Sequence, residues 1–189
     1  MSTRTAAYHL PVSAEDYLAS EEKTVLRHEY FDGYVRAMAG ETTEHNEIAL
    51  NFVEELRRHT RGGPCRVFAH GVKVQPLANI PKIFYYPDVM VACDPRDTDN
   101  KIRRYPKLII EVASKSTEQV DRCEKMLAYL QNETLEEYII VQQDIPCVTL
   151  FRRIEGWAKE ELRGWDTPVN IKSLDLVLDM RTVYAGVLP

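Results

Sequence analysis

Between residues 43 and 59 the apolar side chains Ile48, Ala49, Phe52, Val53 and Leu56 return every three or four positions, which is the repeat of one helical face. This predicts an amphipathic helix. His45 falls on the same stripe near the helix start, so it is expected to face inward with the core residues. Elsewhere the pattern shortens to runs rich in β-branched and aromatic residues. Phe84-Tyr85-Tyr86-Pro87-Asp88-Val89-Met90-Val91, Leu108-Ile109-Ile110-Glu111-Val112 and residues 137–142 read as buried strands. Segments 27–31 and 34–39 flank Asp32-Gly33, a dipeptide suited to the positive φ angles of a two-residue type I′ turn, and predict a hairpin. Ser13 with Asp16 three residues on predicts a short helix through residue 20.

Further along, residues 65–74 predict a strand interrupted at Gly71, and 76–81 a loop. A second helix, capped by Ser116 and Gln119 and running to about residue 131, would place Val120, Cys123, Met126, Leu127 and Leu130 on its apolar stripe. Asp121, Lys125 and Tyr129 then fall on the opposite face, which periodicity makes solvent-exposed with a weak intrahelical ion pair. Strands are expected at 147–153 and around Trp157, an edge strand at 173–179, and a helical turn at 180–184. The order of helix, hairpin, helix, three strands, helix and further strands describes an α/β fold with a central mixed β-sheet flanked by helices.

Composition narrows the picture. A chain of 189 residues, 44% hydrophobic and 28% charged, fits a single domain over 1–189, with 1–12 as an N-terminal tail. No apolar run approaches the ~18 residues of a membrane span, and the start lacks the apolar core of a signal peptide. A soluble, cytoplasmic protein is expected. The four cysteines, Cys65, Cys93, Cys123 and Cys147, show no Cys-x-x-Cys spacing, which argues against zinc and a disulfide framework and for core thiols. A net charge of −5 does not advertise a polyanion partner, so any nucleic-acid surface must be local. The run Lys101, Arg103, Arg104 and Lys107 reads first as a solvated face, although its position between the two acidic strands could bring it to phosphates.

The chemistry concentrates in two acids. Asp88 and Glu111 are each the only acid in an apolar run, and a buried carboxylate is costly without a cation, a hydrogen-bond donor or a metal. Either one alone could sit at a strand end and reach water or an arginine. Together, on strands expected to be neighbours, they suggest a shared partner. Glu29 on the hairpin reads as a cross-strand partner for Arg36 or Arg27. His45 reads as a satisfied core histidine, or as a group for proton transfer.

In order along the chain, His28-Glu29-Tyr30 with Asp32-Gly33, Glu44-His45-Asn46, Pro87-Asp88, Glu111-Val112-Ala113-Ser114, Asp121 with Lys125 and Tyr129, and Glu137-Tyr138 resemble the Uma family of restriction endonucleases. The split pair Asp88 and Glu111 resembles the acidic motif of the wider PD-(D/E)XK nuclease superfamily. The resemblance implies a restriction-endonuclease-like core and metal-dependent hydrolysis of DNA phosphodiester bonds. It assigns Mg²⁺ or Mn²⁺ to Asp88, Glu111 and the Val112 carbonyl, a choice that suits hard oxygen ligands. It also implies Glu29 as an additional ligand and His45 as a proton-transfer or orienting group. The superfamily's lysine stands two residues after the second acid, where this chain has Ala113. Lys125, on the following helix, is the replacement the family implies, and Lys115 is the alternative. Gln142 stands where the family commonly has an aspartate. A homodimer is left open.

The leading expectation is therefore a Mg²⁺-dependent endonuclease acting on DNA. Its rival is a nuclease fold that has lost cleavage and serves as a nucleic-acid-binding or regulatory module, supported by the displaced lysine and the acidic net charge. A carboxylate-pair hydrolase of sugars, needing no metal, is the third class.

Overall fold

The structure is a computed structural model that describes residues 11–38, 40–78, 80, 82–113 and 120–188, with residues 120–122 described by their backbone alone. In chain order the elements are α1 (Ala14–Glu21), β1 (His28–Phe31), β2 (Tyr34–Ala37), α2 (Thr43–His59), β3 (Arg66–Ala69), β4 (Lys73–Val74), β5 (Ile83–Phe84), β6 (Val89–Ala92), β7 (Ile102–Arg103) and β8 (Pro106–Ala113). A π-helical turn (Val120–Lys125) leads into α3 (Met126–Tyr129). Then follow β9 (Glu137–Gln142), β10 (Cys147–Arg152), β11 (Lys159–Arg163), β12 (Val169–Ile171), β13 (Leu176–Leu178) and α4 (Met180–Val183).

Six strands form the central sheet in the order β11-β10-β9-β8-β6-β3. Only β8 and β9 pair in parallel, with Glu111 opposite Ile140, and the other neighbours are antiparallel. A parallel pair needs a crossover, and the chain that supplies it contains the π turn and α3. The sheet is buried on both faces, which is why its strands read as continuous apolar runs. Val89, Val91, Leu108, Ile110, Ile139 and Val141 pack with Ile48, Phe52 and Leu56 of α2. The alternate residues Met90, Ile109, Tyr138 and Ile140 pack with Ala128 and Tyr129 of α3. Each fully buried large side chain on the α2 stripe contributes about 1.5–3 kcal/mol, so that helix is fixed mainly by its packing.

A smaller sheet, β2-β1-β5, stands beside the first. Its hairpin has Asp32 at φ 43° and Gly33 at φ 96°, the positive pair a type I′ turn requires. At Gly33 a Cβ would lie 2.5 Å from the Pro11 Cβ, so the position also needs the missing side chain.

Several expectations are corrected. The segment 84–91 is not one strand: β5 belongs to the small sheet and β6 to the large one, and Asp88 lies at the bend just before β6. Pro87 between them has no N–H to continue a ladder. Residues 65–74 split into β3 and β4 around Gly71. The strand expected around Trp157 begins at Lys159, after a 3₁₀ turn at Arg153–Glu155 and with Trp157 itself at φ 63°. The tail strand pairs with β12 in a separate hairpin and not with the central sheet.

The helix after β8 is also turned relative to expectation. Cys123 is exposed and Leu127 is 63% exposed, whereas Lys125 and Tyr129 are buried. A π turn closes i→i+5 hydrogen bonds, so a 3.6-residue repeat drawn through it assigns the wrong faces. The expected Ser116–Gln119 cap, Lys115 and residues 1–10 of the tail lie outside the described residues. The four cysteines are not all core thiols: Cys65 and Cys93 form a disulfide, Cys123 is exposed and only Cys147 is a buried thiol. Arg66 pairs with Ala92 in β3 and β6, so the next pair outward in an antiparallel ladder is Cys65 with Cys93. No helix among the described residues is long and apolar enough to cross a membrane.

Candidate active site

The β6–β8 register brings the two acids to one end of the sheet. Val89 pairs with Ile110, and one step further along this antiparallel ladder Asp88 faces Glu111. Asp88 is held there by its own chemistry, since its Oδ2 accepts the Val112 backbone N–H at 2.7 Å. Its Oδ1 lies 3.1 Å from His45 Nε2. Burial pushes the Asp88 carboxyl up, but the His45 ring, the Lys125 charge and the Val112 N–H together hold it below the ordinary carboxylate range. Asp88 is thus an ionised group maintained by its neighbours.

His45 reaches Asp88 because α2 starts where it does. The Thr42 hydroxyl caps the helix by accepting the His45 N–H at 3.2 Å, and this sets the first turn against the mouth of the sheet. The same turn approaches Glu41, whose carboxylate lies 3.2 Å from His70 Nδ1. The His70 hydrogen bond lowers the Glu41 carboxyl against the opposing effect of burial. One ligand atom each from Glu41, His45 and Asp88 lie within 4.8 Å of one another.

Glu111 is 2% exposed. Its Oε1 accepts the Tyr129 hydroxyl at 2.9 Å and lies 3.3 Å from Lys125 Nζ. Lys125 and Tyr129 are four residues apart and so share a face of the helix after β8. Burial, then the Glu111 charge, push the Tyr129 phenol well up, so it remains a donor at any ordinary pH. Lys125 Nζ also lies 3.0 Å from Glu29 Oε1. The other Glu29 oxygen meets Arg36 Nη2 at 2.8 Å, directly across the hairpin, where Glu29 and Arg36 are register partners. Arg36 continues to Glu124 at 3.2 Å, and Glu124 accepts the Tyr85 hydroxyl at 3.0 Å.

Five residues singled out from the sequence, Glu29, His45, Asp88, Glu111 and Lys125, therefore stand in one chain of contacts drawn from five different segments. The cross-strand reading of Glu29 holds, since it pairs with Arg36, and it also meets Lys125. Glu41, His70, Arg36 and Glu124 complete the network. Glu41 and His70 were not legible, since they lie outside the helical stripe and the regular strands, and His70 has φ 49°. The only pointer was Gly71, the interruption that marks the turn where His70 sits. The basic run does not join the site. Lys101 pairs with Glu22, Arg104 with Asp99 and Lys107 with Glu136, while Arg103 donates to the Asp97 and Asp99 carbonyls.

The donor set bears on a cation. Among the described residues, Glu29, Glu41, Asp88, Glu111 and Glu124 stand in this network with Lys125, Arg36, His45 and His70. Two carboxylates, of Glu41 and Asp88, with the imidazole of His45, their ligand atoms all within 4.8 Å of one another, suit a divalent ion.

Residues 14–181 match the Uma2 family, described as "Putative restriction endonuclease". The chain belongs to this family. Two uncharacterized proteins of Synechocystis sp. (strain ATCC 27184 / PCC 6803 / Kazusa) are similar to it. One is 33% identical over 178 residues, 93% of this chain and 92% of the relative. The other is 26% identical over 170 residues, 87% of this chain and 95% of the relative. Among solved structures, a "putative nuclease belonging to DUF820" from Anabaena variabilis ATCC 29413 has the same fold, with a TM-score of 0.77 at 17% identity, covering 94% of this chain and all of that one. Family and fold thus agree with the resemblance drawn from the motifs, and the fold of this Uma2 member is that of the nuclease-like neighbour.

Proposed function

We propose that this Uma2 protein is a divalent-metal-dependent endonuclease that hydrolyses DNA phosphodiester bonds at the Asp88–Glu111 end of the sheet. The observation that carries the reading is Lys125. The position where the superfamily keeps its lysine is Ala113, yet an ammonium group reaches the second acid from the next helix, 3.3 Å from Glu111. That removes one of the two supports of the rival degenerate fold, the displaced lysine, and leaves the acidic net charge. A sugar hydrolase working with two carboxylates has no use for a lysine beside the proposed acid.

Asp88 and Glu111 are the acids that would hold Mg²⁺ or Mn²⁺, with the Val112 carbonyl as the third oxygen. His45 and Glu41 stand next to Asp88 as further donors. When bound, such an ion polarises a phosphoryl oxygen and acidifies a water. The protein's own groups then have separate tasks. Lys125, held between Glu29 and Glu111, offers a positive charge to the negative charge that builds on the phosphoryl oxygens. Tyr129 keeps the Glu111 carboxylate oriented through its hydroxyl. Val112 N–H fixes Asp88 Oδ2, leaving Oδ1 turned toward His45. His45, 3.1 Å from an ionised aspartate, is placed to take or return a proton.

The test is cleavage of supercoiled plasmid and of linear oligonucleotides in Mg²⁺ and in Mn²⁺, comparing wild type with Asp88→Asn, Glu111→Gln and Lys125→Met. Cleavage that vanishes in all three and with EDTA supports the reading. Wild-type rates in Glu111→Gln would refute the site, and no cleavage by folded wild type in either metal would refute the activity.

A further inference from the structure

One cavity opens at the Glu29–Arg36–Glu124 edge of the acidic network, away from Asp88 and Glu111, which do not line it. Its volume is about 280 Å³, and its lining is mostly aromatic: Tyr30, Phe31, Tyr34 and Tyr85. Phe31 and Tyr34 flank the hairpin turn as register partners, and they are 40% and 74% exposed. Aromatic side chains bury large areas in most folds, so two of them left open at a tight turn next to a catalytic candidate ask for an occupant. The remaining lining is charged. Glu29 lines the cavity with one oxygen on Lys125 and the other on Arg36.

Arg36 and Glu124 give this cavity both hydrogen-bonding signs. Arg36 uses Nη2 for Glu29 and Glu124, and among the described residues nothing engages the rest of its guanidinium, which is 45% exposed. Glu124 receives Arg36 and the Tyr85 hydroxyl at Oε1. Among the described residues nothing occupies its Oε2. A flat heterocycle that presents a donor and an acceptor on one edge and a π face on the other matches these surroundings. Arginine reads the oxygen and nitrogen acceptors of a base, carboxylates accept from its amino or imino hydrogens, and aromatic side chains stack on its face.

Resting on the nuclease reading of the adjoining site, we propose that this cavity takes one unstacked nucleobase of the substrate, so that the preferred substrate is single-stranded or carries an unpaired base beside the cleaved bond. The space, about 280 Å³, is at the lower end of the ~300–1,000 Å³ usual for ligand pockets and suits one heterocycle. Phe31 and Tyr34 supply the platform, and Arg36 with Glu124 reads the edge. Extrusion of a base from a paired duplex costs free energy that an unpaired one does not, and this is what makes the pocket select strand state. The same carboxylate, Glu29, then touches the lysine of the chemical site and the arginine of the base site, which fixes their spacing.

The experiment titrates the full chain, in EDTA so that no bond is cut, into a single-stranded oligodeoxynucleotide with 2-aminopurine at its centre, and into the same strand fully paired. The expected result is fluorescence quenching on the single strand, with affinity about 10-fold weaker in Tyr34→Ala and in Phe31→Ala and duplex binding unchanged. Thermal melts check that these exposed substitutions leave the fold intact. Equal single-strand affinity in wild type and both variants overturns the proposal, as does a wild type that binds only duplex. A change in sedimentation without a change in DNA affinity also overturns it, and marks the aromatic pair as a protein contact. Cleavage assays on the same variants separate the two readings. Tyr34-dependent binding without cleavage in Mg²⁺ or Mn²⁺ keeps the base pocket and removes the nuclease, and cleavage with Tyr34-independent binding does the reverse.

Discussion

Replacing Lys125 by methionine removes one charge from the centre of the acidic network while nearly conserving volume. Lys125 is 8% exposed, and its two partners, Glu29 and Glu111, are 6% and 2% exposed. At 3.0 and 3.3 Å each pair has a gross attraction of about 5 kcal/mol at an effective dielectric constant of ~20. Taking the ammonium out of water offsets several kcal/mol of that. What remains on deletion is the cost of two carboxylates without their common cation, about 3–5 kcal/mol for breaking a buried pair, against less than ~1.5 kcal/mol for the change of shape alone. The variant should therefore unfold at a urea midpoint lower by about 1.5–2.5 M, for a slope of ~2 kcal/mol per molar. The charge argument makes a sharper demand on the double variant Lys125→Met with Glu29→Gln. Removing one carboxylate should recover at least about 1 kcal/mol of the loss, a coupling that a double-mutant cycle reads directly. Urea unfolding followed by tryptophan fluorescence and by circular dichroism measures both. A single variant within 1 kcal/mol of wild type, or a double variant less stable than the single, would show that Lys125 is not the neutralising group.

Other outcomes follow from the same contacts. Asp88 has a folded-state carboxyl held below its unfolded range, so the stability it contributes is fully present above about pH 4 and is lost as the pH falls through the lowered value; urea midpoints between pH 3 and 6 should slope less steeply in Asp88→Asn. Tyr129→Phe deletes the 2.9 Å hydrogen bond to a buried carboxylate and should cost about 1.5–3 kcal/mol, with loss of any cleavage exceeding what the remaining folded fraction explains. Reducing the Cys65–Cys93 bond, which spans 28 positions, should lower stability by about 3.6 kcal/mol on the loop-entropy account, and an unchanged denaturation midpoint in reductant would contradict the pairing. Arg152→Met unpairs the buried Glu137 and should destabilise by about 3–5 kcal/mol while leaving any metal-dependent cleavage as in wild type.

Much of this was legible because single elements announce themselves. The α2 stripe, the Asp32-Gly33 turn, the 137–142 strand and the terminal helical turn came from local periodicity and turn chemistry, and the structure keeps them. So did the isolation of Asp88 and Glu111 in apolar runs, since a charge there needs an explanation wherever the strand lies. The helix after β8 was misread for a physical reason. Periodicity assumes that the apolar side of a helix is the buried side, and here Lys125 and Tyr129 are drawn inward by Glu29 and Glu111, with a π turn that ends at Lys125 shifting the register. Only the family resemblance pointed to Lys125. The disulfide was hidden because the spacing of Cys65 and Cys93 says nothing until the β3–β6 register sets them opposite each other. Glu41 and His70 were hidden by the same rule, as loop residues brought to Asp88 by folding alone.

Neighbouring strands carry two buried glutamates, and their surroundings separate structure from chemistry. Glu137, on β9, is 1% exposed, and it is fully provided for. Its oxygens accept Arg152 Nε at 2.7 Å, the Lys172 N–H at 3.1 Å and the Ser173 N–H at 2.8 Å. A carboxylate so enclosed by its own cation and two backbone donors has no need of an outside ion, and its role is to tie β9 and β10 to the 3₁₀ turn at Lys172–Leu174. Among the described residues Glu111, on β8, shares its lysine with Glu29, takes the Tyr129 hydroxyl and stands beside the peptide that anchors Asp88. Burial is the same in the two places, and the difference lies in the partners: an arginine and two backbone donors at Glu137, a lysine held in common with a second acid at Glu111. At the end of β8 the second acid and its lysine stand next to the peptide that holds Asp88, which is where the proposed divalent cation and a phosphate would enter together.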